Sequence, residues 1–360
     1  MEKHMRILAI NPGSTSTKIS VFDNHEDIFT INIKHSTEEL CAFPKIIDQF
    51  DFRKQMILKE LEQAGIKLSS LDVIVGRGGL LKPIPGGVYK INDAMMRDLK
   101  DESARAHSSN LGAILAHEIS IEIGNHTGSY IVDPVIVDEL EPLARYSGMP
   151  EVPRISIFHA LNHKAVARKF ARQRNEKYED LNLIIVHMGG GISVGGHKNG
   201  RVIDVNNGLD GEGPFSPERS GGVPVGDLIN LCFSGKYTLE EIKKKNVGQG
   251  GLVAYLGTNS AYEVSKMVQN GDRKAEEVYR AMAYQVSKEI GAMAVVMRGK
   301  IDAILLTGGV AYDKMFCGWI EEQVSFLGKV IVYPGEDEMQ ALEEGVYFAL
   351  KGEMEIKEYV

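Results

Sequence analysis

Residues 6–22, RILAINPGSTSTKISVF, set one apolar strand against another across a sharp polar turn, and residues 181–208, LNLIIVHMGGGISVGGHKNGRVIDVNNG, repeat the plan. In the first unit Ile7 to Ile10 precede the turn and Ile19, Val21 and Phe22 follow it. In the second, Leu183 to Val186 run into Gly189, Gly190 and Gly191. Ile192, Val194, Val202, Ile203 and Val205 continue as strands, with Lys198 to Gly200 as a hairpin signal. One such unit alone reads as an ordinary hairpin. Two of them, centred near Asn11 and Met188, argue for two similar domains that each offer a phosphate-facing turn to a shared cleft.

The turns carry the chemistry. NPGSTSTK supplies a permissive Gly13, the hydroxyls of Ser14, Thr15, Ser16 and Thr17, and the charge of Lys18. Phosphate oxygens want many N–H and O–H donors plus a positive point charge. GxxxxGK[ST] is absent and a strand follows, so this is not a Walker loop. The formal charge of −8 and pI near 5.8 lack the basic surplus of a nucleic-acid footprint. Locally placed Arg and Lys must therefore attract any anionic ligand against the overall field.

Around these units the chain reads as alternating strands and helices. A strand is expected near 28–33, a helix from about Pro44 to Ala64 with Gly65 as its stop, and a buried strand at Val73 to Val75. That strand empties into GRGG, which presents Arg77 as an anion receptor or as a surface residue. A helix is expected over 103–123, then strands at Tyr130 to Val132 and Val135 to Val137 with Asp133 and Asp138 at their ends. Carboxylates at strand ends are frequent site residues in α/β folds, and as often bond a loop amide. His159 and His163, four apart, share a face if both are helical. No HExxH pattern or third ligand accompanies them, which argues against a metal there.

Residues 208–229 read as a long Gly- and Pro-rich loop carrying Arg219, functional or mobile by its length. Thr238 with Glu241 and Ser260 with Glu263 form the pattern of two capping boxes. A long helix with a core stripe spans Asp272 to about Met297. IDAILLTGGVAYDK repeats strand and Gly-Gly turn. VIVYPGEDEMQAL then gives a strand and an acidic turn whose carboxylates suit Mg²⁺ or a helix start. At 360 residues and 43% hydrophobic the chain has material for two domains. Cys41, Cys232 and Cys317, far apart and odd in number, are expected as free buried thiols. No apolar run of about 18 residues occurs and MEKHMR is no secretion signal, so a cytoplasmic protein without a membrane partner is expected.

These segments together resemble the acetokinase family: NPGSTSTK, GRGG, VDELEPLARYSG, RISIFHALNHKAVAR, the stretch from HMGGGISVGG to PERSGGVP, LLTGGVAY and PGEDEMQAL. The resemblance covers nearly the whole chain. It implies an α/β fold of two duplicated actin-like, ribonuclease H-like domains, with mixed sheets flanked by helices and an interdomain cleft. The expected domains are 1–152 plus 337–360, on the acid-binding side and closed by the C-terminal helix, and 153–336, on the nucleotide side. The implied reaction is ATP- and Mg²⁺-dependent, reversible phosphorylation of butyrate or a similar short or branched acid to the acyl phosphate, by direct in-line transfer. The alternatives are acetate or propionate as substrate, or an actin-like ATP-binding sensor or assembly protein that transfers nothing. An oligomer built from dimers is implied as well.

Carried over by the resemblance, Asn11, Ser14, Ser16 and Lys18 serve the phosphates and the metal shell, and Arg77 receives the substrate carboxylate. Asp138 lies near the metal and the transferring group, and His159 and Arg219 contact the γ-phosphate in transit. His187 with Gly189, Gly190 and Gly191 forms the second phosphate turn, and Gly308 and Gly309 the adenosine side. Asn11 and Glu338 are the implied metal residues, with Glu336 or Asp337 able to take the register of Glu338. Acetate kinases carry Asn where this chain has Gly190, and a GTSH pattern where it reads ALNH after His159. These departures set the chain with the members that act on butyrate. An aliphatic acid, with a pKa of roughly 4–5, is already ionised at neutral pH, so no general base is required and Asp138 is assigned to metal or substrate positioning.

Overall fold

The computed structural model describes residues 4–101, 107–124 and 127–360. β1 (Arg6–Pro12), β2 (Ser16–Asp23) and β3 (Glu26–Lys34) form an antiparallel meander. β4 (Val73–Arg77) lies parallel to β1. β5 (Val88–Lys90) runs antiparallel to β6 (Gly128–Val132), which lies parallel to β4. Side chains alternate across a strand, and Leu8, Ile10 and Ile74 accordingly share one core with Ile57 and Leu61 of the helix Phe50–Gln63. Leu111, Ile114, Leu115 and Ile119 of the helix Asn110–Ile123 complete it.

The second half repeats the arrangement. β7 (Asn182–Met188), β8 (Ile192–Lys198) and β9 (Arg201–Val205) make an antiparallel meander, and β10 (Ala303–Gly308) and β11 (Val330–Pro334) add parallel strands beside β7. The sheet order, β11-β10-β7-β8-β9, matches β6-β4-β1-β2-β3 strand for strand. Ile184, Val186, Ile304 and Leu306 pack toward the helices Arg273–Val296 and Lys314–Val324. Leu183, Ile185, Ala303 and Leu305 face Val166, Ala167 and Phe170 of the helix Ala160–Gln173 on the opposite side. Leu183 to Met188 and Ala303 to Gly308 are thus all buried, one face per helix layer. The chain then returns to the first sheet, where β12 (Ile356–Glu358) pairs with β5 and Gly345 of the helix Glu338–Leu350 lies against the side chain of Val132. The architecture is α/β, with two mixed sheets flanked by helices.

Two compact units result: residues through Val137 together with Asp337–Val360, and Asp138–Glu336. The first crossing lies upstream of the 152/153 junction that the resemblance implies. Residues 138–152 belong with the second sheet because Glu139 is fastened there. Its carboxylate meets the buried Lys164 ammonium at 2.9 Å and accepts from Val202 N–H at 2.8 Å. Glu141 N–H donates to Ile203 O. Losing either member of so buried a pair costs about 3–5 kcal/mol.

Several local expectations need correction. The first turn is tighter than NPGSTSTK, because Asn11 and Pro12 already pair with Lys18 and Thr17 in the ladder. Val135 to Val137 is no strand: Asp133 takes a left-handed φ of 37°, Pro134 has no N–H, and Val137 N–H closes a turn on Pro134 O. The helix expected from 103 begins at Asn110, and residues 103–106 lie outside the described residues. The end of the long loop is helical, Val225–Cys232. Thr238 and Glu241 form a reciprocal box, whereas Glu263 caps nothing with its carboxylate, which Thr258 Oγ1 engages at 2.6 Å. Cys317 is buried, but Cys41 and Cys232 are exposed. Among the described residues no helix is long and apolar enough to cross a membrane.

Candidate active site

In the first unit, residues distant in sequence meet at the carboxyl ends of β1 and β4, the edge where open α/β sheets place ligands. Asn11 is the next-to-last residue of β1, Arg77 closes β4, and Glu338 opens the helix Glu338–Leu350. Asn11 Nδ2 donates to Glu338 Oε2 at 2.5 Å, and Arg77 Nη1 reaches Glu338 Oε1 at 2.5 Å and Asn11 Oδ1 at 3.3 Å. The three acidic residues of the PGEDEM turn are thereby told apart. Glu338 joins Asn11 and Arg77, Asp337 caps its helix through Gln340 N–H at 3.3 Å, and Glu336 lies 3.3 Å from His187 Nε2 in the other unit. Lys18 is the direct cross-strand neighbour of Asn11 and so shares its face.

A residue that sequence reading passed over organises the first turn. Arg53, in the helix Phe50–Gln63, is wholly buried, and its guanidinium sits behind the turn. Nη1 donates to Gly13 O (2.9 Å), Ser16 O (2.9 Å) and Thr17 Oγ1 (3.0 Å), and Nη2 to Ser14 O at 3.1 Å. Its pKa is drawn down to about 10 by burial, so it stays cationic at neutral pH. With these carbonyls turned inward onto a cation, the turn keeps its shape without spending the exposed hydroxyl of Ser14. The signal was an arginine on the apolar face of an amphipathic helix, four residues before Ile57. His107 was also passed over; burial, assisted by the nearby Arg77, lowers its pKa.

In the second unit the ring of His159 stacks on that of His187, centroids 3.8 Å apart and 13° from parallel. His159 stands just before the helix Ala160–Gln173, at its cap position, so only His163 of the spaced pair is helical. Both nonetheless bond Ser193 Oγ at 2.9 Å, from Nδ1 of His159 and Nε2 of His163. His187 is the next-to-last residue of β7, its Nδ1 2.9 Å from Asn162 Oδ1. Gly189 N–H closes the turn on Gly191 O, and Gly190 O accepts from Ser216 Oγ at 2.6 Å and from Glu218 N–H at 3.3 Å.

Arg219 enters against this turn. Its Nη1 donates to Gly208 O, and any Cβ on Gly191 would occupy the space of the guanidinium. Its Nε–H is enclosed and has no acceptor among the described residues. Burial lowers the pKa, with Glu218 and Asp210 opposing the shift. The loop is anchored at several points: Ser216 N–H bonds Arg219 O, Ser220 N–H bonds Asn246 O, and Gly248 N–H bonds Glu218 O at 2.7 Å.

Gly308 ends β10 with φ 92°, and a Cβ there would strike the backbone of Met188, so glycine is required where β10 meets the second turn. Gly309 beyond it is exposed. Both oxygens of Asp138 are held by Arg145, at 2.6 and 2.7 Å, and Oδ1 also accepts from Leu140 N–H. Among the described residues no group of three or more His, Cys, Asp or Glu side chains is placed to hold a metal. The oxygens of Asn11 and Glu338 suit a hard cation that draws its other ligands from phosphates and water.

The sequence model of the Acetokinase family matches residues 151–330. Among solved structures, the acetate kinase of Porphyromonas gingivalis is similar over 95% of this chain and 99% of its own, at 17% identity and TM-score 0.79. A propionate kinase from Francisella tularensis is similar over 94% and 98%, at 18% identity and TM-score 0.73. The acetate kinase of Entamoeba histolytica is similar over 95% and 99%, at 18% identity and TM-score 0.73. At these identities the likeness is one of fold.

Proposed function

The chain belongs to the acetokinase family of carboxylate kinases, and from that premise we propose that it is a butyrate kinase, moving the γ-phosphoryl group of ATP to a butyrate oxygen. The observation that carries the catalytic part is Arg219: an enclosed guanidinium whose Nε–H has no acceptor among the described residues, set against a glycine turn. Such a donor suits the charge on a transferring phosphoryl group, where an arginine contributes about 10³–10⁵ in rate. His159 and His187 line the same turn from β7 and the adjoining helix, and Gly308 and Gly309 leave room for the adenosine. Ser14, Ser16 and Lys18 bind phosphate from the first turn, with Asn11 and Glu338 holding Mg²⁺. When bound, that ion neutralises phosphate charge.

Arg77 takes the acid. A guanidinium that already grips Glu338 has the donors to bind a carboxylate substrate. The acid arrives ionised, its pKa being roughly 4–5, so the chain needs no base and has only to hold two anions in line. Asp138, its carboxylate oriented by Arg145, positions the metal or the substrate. The first unit thus carries the acid side and the second the nucleotide side.

Butyrate over acetate is supported by Gly190, where acetate kinases carry Asn, and by Ala160 to His163, where they carry GTSH. Leu161 of that stretch is buried and Asn162 holds His187. The likeness in fold to acetate and propionate kinases keeps those acids as the second reading. ATP-dependent hydroxamate formation with straight acids of two to five carbons and with isobutyrate tests both. The expected outcome is the highest kcat/KM at four carbons; a maximum at acetate transfers the protein to the second reading, and no product from any acid leaves an ATP-binding sensor. An oligomer built from dimers is expected of the same family, with sedimentation as its measurement.

A further inference from the structure

Behind His159 runs an unbroken line of buried polar groups. Tyr178 Oη lies 2.7 Å from His197 Nδ1, His197 Nε2 lies 3.1 Å from His163 Nδ1, and His163 Nε2 lies 2.9 Å from Ser193 Oγ. Ser193 Oγ ends the line 2.9 Å from His159 Nδ1. Tyr178, His197, His163 and Ser193 are all buried, away from competing solvent. The line joins four separate elements: the turn at Tyr178–Asp180, β8, the helix Ala160–Gln173 and the cap position before it. Burial first, and the nearby Lys164 ammonium among the lesser causes, hold the pKa of His163 and His197 well below the ordinary histidine value.

Two neutral imidazoles in series make the line directional. Each has one N–H and one lone pair, so the bonds through His197 and His163 must point the same way. Tyr178 decides which way. A phenol, with a pKa of about 10, donates far more readily than a neutral imidazole N–H. Its O–H therefore donates to His197 Nδ1, His197 Nε2–H donates to His163 Nδ1, and His163 Nε2–H donates to Ser193 Oγ. Ser193 is wholly buried and its Oγ bonds only these two imidazoles among the described residues, so the serine donates its own hydrogen to His159 Nδ1. The charged groups around the line support this polarity. Lys164 sits 5.7 Å from the Tyr178 ring, its charge taken up by Glu139 and Gly200 O. On the His159 side stand His187, Asn162 and, beyond His187, Glu336.

We propose that Tyr178, His197, His163 and Ser193 are positioning residues, a buried relay that fixes His159 as the Nε2–H tautomer and so makes it a hydrogen-bond donor. The phosphoryl oxygens of ATP would receive that donor, a consequence that rests on the kinase reading; the tautomer itself does not. The opposite tautomer would turn a lone pair toward an anion.

The test is the side-chain nitrogen spectrum of histidine-labelled protein without nucleotide or acid, with a His159→Gln sample used to assign the His159 signals. In the unaltered protein His159 Nδ1 is expected in the unprotonated range and Nε2 in the protonated range. Tyr178→Phe and Ser193→Ala are each expected to move His159 toward an average of both tautomers. In the kinase assay they should lower kcat about fivefold with the KM for ATP within about twofold. A proton on Nδ1 of the unaltered protein overturns the relay, as do unchanged His159 signals in folded Ser193→Ala, the variant that speaks if Tyr178→Phe fails to fold. Expected spectra from a protein that makes no acyl phosphate would overturn the kinase reading and leave the relay standing.

Discussion

Arg77 and Arg219 carry the same group into different surroundings, and the difference sets what each substitution should do. Arg77 is partly exposed and already ion-paired with Glu338 at 2.5 Å, the posture of a ground-state carboxylate binder. Arg77→Ala is expected to raise the KM for the acid at least tenfold with a smaller change in kcat, as steady-state kinetics would record. Arg219 is enclosed, with its Nε–H unpartnered among the described residues, and should act on charge that develops during transfer. Arg219→Ala is expected to cut kcat at least a hundredfold, about 2.7 kcal/mol or more, while the KM for ATP stays within a few fold. Near-normal turnover would remove Arg219 from the mechanism. Asp138 is the residue at which motif reasoning says least, since VDELEPLAR shows its neighbours but not that Arg145, seven positions on, claims both oxygens.

Among elements, the first turn depends on a helix that follows it in the chain. Arg53→Met removes the donors of three turn carbonyls and of Thr17 Oγ1 at once. Hydrogen bonds from a charged donor are worth about 1.5–3 kcal/mol each, though not additively, so the urea midpoint should fall by the equivalent of about 3 kcal/mol. Arg53→Lys should rescue little, because an ammonium cannot span the same acceptors. The element pair of β8 and the helix Ala160–Gln173 predicts a pH dependence. Burial holds the folded pKa values of His163 and His197 well below the ordinary histidine value of 6.5, so below that pH the unfolded chain binds protons the folded one refuses. Stability should be full above about pH 6.5 and decline as pH falls from there toward the folded values. Thermal midpoints between pH 8 and 5 check this, and folded His197→Gln should show a shallower decline.

For the molecule as a whole, the decisive facts are the duplicated sheet order and the return of the C-terminal segment to the first sheet. A chain ended after Glu336 would lose the helix Glu338–Leu350 and β12, and with them Glu338 and the cover over Val132. Hydrogen exchange is expected to find β1–β6 deprotected in that truncation and β7–β11 still protected; equal protection in both sheets would refute the dependence. By its own wording the sequence determined the two strand–turn–return units, the glycine turns and the helix stripes, because alternation, glycine and capping act over a few residues. It also indicated Asn11, Arg77, His159, His187, Arg219 and Glu338 as a set through motif resemblance. Only the tertiary structure decided that Glu338 and not Glu336 joins Asn11, that Arg145 occupies Asp138, and that Arg53 and the Tyr178–His197–His163–Ser193 line stand behind the two turns. Hydrogen bonds and ion pairs between residues far apart in the chain follow from which elements pack together, and no local pattern of residues encodes that.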